Sequence, residues 1–339
     1  MSFNGFLKSF LFLSIVFLSL IGSFVYFMDP FWTFNHSHKF NSIQYASNER
    51  EQKSNLLYFK EANYDALLLG SSRVTFLNQE EFKDIKVFNY SFSLAMPQEY
   101  SSYIEFAKKQ NKKDFEYIII GLDFFGSNKN VEENMNPDDI FEHINSFAYR
   151  YKLLFSIDSL KVALENLKRA IRHNYAGRSY DRHNIAYTTK IDENEVLRIV
   201  ENTKVEDFIG NIKEYEFNDN LGQIFEKLKK DNPNSKFIVY TTPTSKVYLN
   251  KLKELNLYDD YKKWISISVN SFDKIINFMD YNSIIINYSK YFMDYHHIYP
   301  EYSNLIINKI MAKDESNLPK DFGKVLTKKN LEAYLKDLN

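Results

Sequence analysis

Three short segments carry residue types that do chemistry together. Gly70-Ser71-Ser72-Arg73 follows the apolar run 64–69 (YDALLL). A small-residue turn leaving a strand can present a serine hydroxyl, and a helix starting there offers N–H groups to a developing oxyanion. The plainer reading of the same residues is a turn whose serine caps a helix. Asp294-Tyr295-His296-His297 comes eight to eleven residues after the apolar run 283–286. A serine nucleophile needs a base, and the base needs an orienting carboxylate, so Ser72, His297 and Asp294 form a candidate triad. Asp294 and His297, three apart in a turn ahead of Pro300, can bond each other; the alternative is a polar surface loop. A one-residue shift in that loop would put His296 in the place of His297. Gly121-Leu122-Asp123 follows 117–120 (YIII), where Asp123 either lines the pocket or merely ends a strand. Arg73 has two readings, a contact to an anionic substrate or a pair with an acid of the scaffold. His36-Ser37-His38 is a weak zinc candidate without an H-E-x-x-H helix, and no Gly-Lys phosphate loop is present.

These segments need a scaffold that brings residue 72 to residue 297. Five short apolar runs read as buried parallel strands: 64–69, 86–89, 117–120, 236–240 and 283–286. Helical patterns separate them. Pro97 opens one through 110, and Asp158 caps another over 159–171 with Leu160, Leu164, Leu167 and Ile171 aligned. Others cover 221–229 and 258–279, and a last one starts at Pro300. The alternation predicts an α/β fold, a three-layer α/β/α arrangement of flavodoxin-like kind with a mostly parallel five-stranded sheet. Ligands then bind at the carboxyl ends of the strands, where all three segments fall. The long stretch 125–220 reads as an insertion or lid within an α/β domain of 61–315, followed by a polar tail, 316–339, with a terminal helix.

Composition narrows the function. The chain has 339 residues and net charge −1, without the basic excess of a nucleic-acid binder. The absence of Cys excludes disulfides, thiolate zinc, iron–sulfur clusters and a Cys nucleophile. No cofactor motif is present. Residues 9–28 are twenty in a row without a charge, enough at ~1.5 Å each for the ~30 Å hydrocarbon core. Lys8 precedes them, so 1–8 is expected in the cytoplasm and the body outside it, with 29–60 as a membrane-proximal segment. A cleaved signal peptide is the rival, but its apolar stretch is shorter, about 7–15 residues, and ends in small residues that 24–28 lack.

Taken in order, the segments resemble the SGNH (GDSL-like) hydrolase superfamily over roughly residues 64–310. Gly70-Ser71-Ser72 matches its first block, which implies Ser72 as nucleophile. Asp294-x-x-His297 matches its last block, which implies the carboxylate and base. Residues 89–95 (NYSFSLA) stand where the second block and its oxyanion-hole glycine belong, so Ser93 and Leu94 would line the oxyanion with Ser71 and Arg73. Gly121-Leu122-Asp123-Phe124 stands where Gly-x-Asn-Asp belongs. Two positions depart from the pattern. Leu94 or a neighbour replaces the glycine, and Asp123 replaces the asparagine, where an ionised carboxylate would repel the charge to be stabilised. The overall look is closest to membrane-anchored extracytoplasmic members such as DltD and the alginate O-acetylation proteins. These work beside multi-span membrane O-acyltransferases on surface polymers. The resemblance implies an acyl-ester chemistry on a cell-envelope glycan or polymer. Its rival is a non-catalytic scaffold or glycan-binding partner that keeps the fold.

Overall fold

The computed structural model describes residues 3–131, 135–204, 215–314, 316 and 318–338. Of the expected insertion, 132–134 and 205–214 lie outside the described residues, as do 1, 2, 315, 317 and 339. About half of the chain is helical. Nine strands are described: β1 (Ile43–Tyr45), β2 (Ala66–Leu69), β3 (Val87–Asn89), β4 (Tyr117–Leu122), β5 (Ser179–Asp181), β6 (Ala186–Tyr187), β7 (Lys236–Thr241), β8 (Lys274–Asn277) and β9 (Lys324–Thr327). The chain divides into two compact units, 1–62 with 138–188 and 63–137 with 189–339. The stretch expected as an insertion is thereby split: its middle, 138–188, groups with 1–62 and its two ends with the larger unit.

The larger unit is built on a mixed six-stranded sheet in the order β3-β2-β4-β7-β8-β9. β2 pairs in parallel with β3 and β4, and β4–β7 and β7–β8 continue in parallel. Leu67 to Leu69 and Ile118 to Ile120 are fully buried. Each contributes about 1.5–3 kcal/mol of burial, which explains their unbroken apolar runs. The chain leaves β2 for β3 on one side and leaves β4 for β7 on the other. The carboxyl ends of β2 and β4 therefore flank a topological switch point, the place in such sheets where a crevice opens.

The expected five-stranded sheet is corrected in two places. Residues 283–286 are a helical turn, Ser283–Ile286, and not a strand. The Asn282 side chain accepts from the N–H groups of Ile284 and Ile285, at 3.0 and 3.1 Å. That cap outweighs the strand preference of three β-branched residues. The strand is β8, whose Ile275 and Ile276 follow the helix Tyr258–Phe272 after Asp273 turns the chain with φ +66°. The second correction is β9, which comes from the tail and pairs antiparallel with β8. Leu326 is buried while Lys324 and Val325 are exposed, as suits an edge strand with one side chain in the core. The expected terminal helix follows it as Leu331–Asp337.

The smaller unit holds the helix Phe3–Met28, 26 residues long and apolar enough to cross a membrane. Its last carbonyls are capped by side chains, as an end without further helical N–H donors requires. His36 Nε2 lies 2.9 Å from the Tyr26 carbonyl and His38 Nε2 2.7 Å from that of Phe27, while Gln44 donates to Met28. The two histidines thus serve as caps, and among the described residues they belong to no cluster of three side chains spaced for a metal ion. Asp29 pairs with Arg182, and Trp32 Nε1 donates to Gln44 at 2.8 Å, tying the helix end to the antiparallel sheet β1-β5-β6.

Candidate active site

Ser72 is positioned by two glycines at the ends of neighbouring strands. Gly70, directly after β2, has φ +150°, and a Cβ there would lie 2.4 Å from Val74 Cγ2 and 2.9 Å from the Gly121 carbonyl. Gly121, near the end of β4, would meet the same Val74 methyl at 2.5 Å. Val74 thus sits where two side chains would otherwise be, pulling the turn after β2 against β4. The expected helix does not follow. Residues 72–76 are successive turns, closed by Val74 N–H to the Ser71 carbonyl at 2.9 Å and Leu77 N–H to the Val74 carbonyl at 3.0 Å. Asn89, at the end of β3, donates to the carbonyls of Val74 and Leu77 at 3.2 and 3.0 Å. The Val74 carbonyl thus accepts from Asn89 as well as from Leu77 N–H, and a side-chain donor stands where a continuing helix would supply a backbone N–H.

His297 and Asp294 stand on a loop closed by the antiparallel bridge Phe292–Ile298, with Met293 N–H donating to the His297 carbonyl at 2.9 Å. Asp294 Oδ1 accepts from the backbone N–H of His296 and of His297, at 2.8 and 2.7 Å. Its Oδ2 lies 2.6 Å from His297 Nδ1. His297 Nε2 in turn lies 2.9 Å from Ser72 Oγ. Burial pushes the Asp294 carboxyl up, but the charges of His297 and His296 and the hydrogen bonds outweigh it and hold the group well below the usual range. The ionised carboxylate only accepts, so the proton of a neutral His297 belongs on Nδ1, leaving the Nε2 lone pair for the Ser72 hydroxyl. This is the geometry in which a hydroxyl passes its proton to an imidazole as the oxygen attacks. It is His297, not His296, that meets Ser72.

Asp123 resolves differently from a pocket-lining group. Its Oδ1 lies 3.1 Å from Arg73 Nη1, both side chains being buried, and it also accepts from Thr242 Oγ1. The Arg73 guanidinium lies over the rings of Tyr248 and Phe125, 5.0 and 5.3 Å from their centroids. Burial disfavours its charge, but Asp123 together with Tyr248 and Tyr295 outweighs that and raises the group above its ordinary value. Of the two readings of Arg73, the scaffold pair is the one observed. The carboxylate beside the candidate oxyanion site is thereby neutralised by a cation.

Leu94 has φ +52°, the left-handed region that glycine occupies freely and a leucine does not. A leucine thus adopts a backbone conformation that favours glycine, while its side chain packs against the cluster of Met96, Phe125 and Val131. Phe92 N–H donates to the Gly70 carbonyl at 3.2 Å, which brings the loop carrying Ser93 and Leu94 alongside the Ser72 turn. Ser71 Oγ accepts from Arg73 N–H at 3.2 Å and supports that turn from within. The Ser72 N–H has no acceptor among the described residues. Sequence reasoning missed Asn89 as the brace of the turn and Thr242 as the second partner of Asp123; an Asn ending one buried strand and a Thr directly after another are the signal it had. Asp294, His296 and His297 also present atoms within 4.8 Å of one another, a spacing that suits a metal ion. Such an ion would compete for the lone pairs that Asp294 and His297 spend on each other and on Ser72.

No protein-family model matches the chain, and no curated protein matches it at a significant level.

Proposed function

We propose that the chain is a membrane-anchored serine esterase or O-acyltransferase of the SGNH type, acting outside the cytoplasm on acyl esters of a cell-envelope glycan or polymer. The observation that carries this reading is the continuous line from Asp294 Oδ2 through His297 to Ser72 Oγ, with steps of 2.6 and 2.9 Å. The parallel order β3-β2-β4-β7-β8, with Ser72 after the first of these strands in the chain, supports the superfamily assignment and its three-layer arrangement. The long apolar helix supports anchoring, and Lys8 ahead of it supports a cytoplasmic N-terminus. An anchor suits a bulky envelope polymer, because it keeps the domain where the polymer is assembled.

In this mechanism Ser72 Oγ attacks the ester carbonyl carbon as its proton moves to His297 Nε2. The carbonyl oxygen becomes an oxyanion facing the Ser72 N–H and a donor from the 89–95 loop. Collapse breaks the ester C–O bond, and His297 returns the proton to the leaving hydroxyl. The acyl group then rests on Ser72. Water or a sugar hydroxyl attacks it in turn, giving its proton to His297, which passes it back to Ser72. Asp294 holds the imidazole in the tautomer that allows each transfer.

The purified chain tests this with an acetyl ester as substrate. Ser72→Ala and His297→Ala are each expected to lower kcat at least ~10³-fold with unchanged melting temperature. Full turnover in either variant overturns the mechanism.

A second reading, a non-catalytic scaffold or glycan-binding partner of a multi-span O-acyltransferase, rests on Leu94 and Asp123 at the two altered positions. It predicts no turnover by the unaltered chain, with glycan binding retained in Ser72→Ala.

A further inference from the structure

The smaller unit contains a helix whose apolar stripe faces the wrong way for a soluble protein. In Ile157–Arg172 the buried positions are Ser159, Ala163, Asn166 and Ala170, all small or polar. Leu160, Leu164, Leu167 and Ile171 form a separate stripe about 100° round the helix. None of the four is fully buried: Leu164 is 53% and Ile171 62% exposed, and Leu160 and Leu167 are half-buried. The run leading into the helix also exposes large apolar side chains, Phe147 at 91% and Phe155 at 54%. Lys161, Lys168 and Arg172 border the stripe, and the helix carries four cations against two acids.

What lies beside this surface decides what covers it. A Cβ on Gly22 would be 3.0 Å from the Phe155 ring, so Phe155 packs directly on the helix Phe3–Met28. Gly22 is six residues, about 9 Å, inside the Met28 end. When that helix spans a bilayer, Phe155 is already below the headgroups and the stripe runs on from it.

We propose that residues 147–172 are a second membrane contact, with the stripe seated at the boundary of acyl chains and headgroups. The leaflet is the one reached by the Met28 end, and the bordering cations face anionic lipid headgroups. The unit would then hold the membrane by a span and by a helix lying in its surface. A single span leaves a body free to tilt; two contacts restrict it. This inference rests on the membrane reading of Phe3–Met28 but not on any catalytic role of Ser72.

The absence of Cys makes the test clean, since any introduced thiol is unique. Leu164→Cys, Phe147→Cys and Asp158→Cys, each in the full chain, are labelled with an environment-sensitive fluorophore. They are then reconstituted into phosphatidylcholine–phosphatidylglycerol vesicles. Asp158 is 83% exposed and lies about 150° from the stripe, so it reports water. The expected result is a blue shift at 147 and 164, with about twofold or greater quenching by nitroxide on lipid acyl chains and little at 158. Emission at 147 and 164 as aqueous and as iodide-quenchable as at 158 overturns the proposal. So does protection that appears only as the protein-to-lipid ratio rises, since the cover is then a second copy of the chain. A chain that fails to float with the vesicles overturns the anchor itself, a distinct result.

Discussion

Asp294 and Asp123 are both acids with cationic or imidazole neighbours, yet they do opposite things. Asp294 stays part-exposed and faces a titratable partner, so it can respond to proton movement at Ser72. Its carboxyl is held below the value it has when unfolded, about 3.8. Stability from its contacts is therefore complete above that pH and is lost only as pH falls below it. Between pH 5 and 8 Asp294 does not titrate, and any loss of activity there belongs to another group. Asp294→Asn, which removes the charge and offers an amide donor to Nδ1, should lower kcat by roughly 10³–10⁴ at every pH in that range. An Asp294→Asn enzyme within tenfold of the original at pH 7 would contradict its role. Asp123, by contrast, is spent on Arg73. Asp123→Asn and Arg73→Met should each cost about 3–5 kcal/mol, because each leaves one buried partner without compensation. The double variant should cost clearly less than the sum, which denaturant titration of all four proteins will measure. Additive losses would mean that the pair is not coupled.

At the scale of elements, the turn after β2 depends on two missing side chains. Gly70→Ala brings a methyl within 2.4 Å of Val74 at a φ that alanine avoids. The expected loss is at least ~2 kcal/mol, seen as a lower urea midpoint, together with lower turnover as Ser72 is displaced. Unchanged stability would mean that the turn is not braced by Val74. Much of this scaffold was legible in the sequence. Gly70 and Gly121 end apolar runs that can only be central strands, and D-x-x-H ahead of Pro300 is local enough to read directly. The fifth strand was not, because two isoleucines between lysine and asparagine are a weaker signal than three in a row at 284–286. Side-chain caps from Asn282 and Asp321 reverse that preference, and their effect is set by geometry, not periodicity. β9 was hidden for a related reason: an edge strand buries one face and shows a single core residue, Leu326. The positive φ of Leu94 left no mark in composition at all.

Across the whole molecule, two compact units share one chain, and a buried lysine gives the smaller one a pH response of its own. Lys53 in the smaller unit is fully buried over the Tyr180 ring, 4.6 Å from its centroid. Burial lowers its value from 10.5 to about 7, against the Glu49 charge, with Arg178 adding to the lowering. The unfolded chain therefore binds more protons between those limits, and stability rises with pH from about 7 towards 10.5. The gain is of the order of a few kcal/mol. Melting temperature should climb over that interval and the climb should flatten in Lys53→Met; an equal slope in both would remove Lys53 as the cause. The larger unit carries the chemistry proposed here, and the central claim is that Ser72 is a nucleophile activated by His297. Exposure to a fluorophosphonate, followed by peptide mass spectrometry, tests it most directly. One adduct per chain on Ser72, lost in Ser72→Ala and strongly slowed in His297→Ala, is the predicted result. An unlabelled chain, or labelling that persists undiminished in either variant, contradicts it.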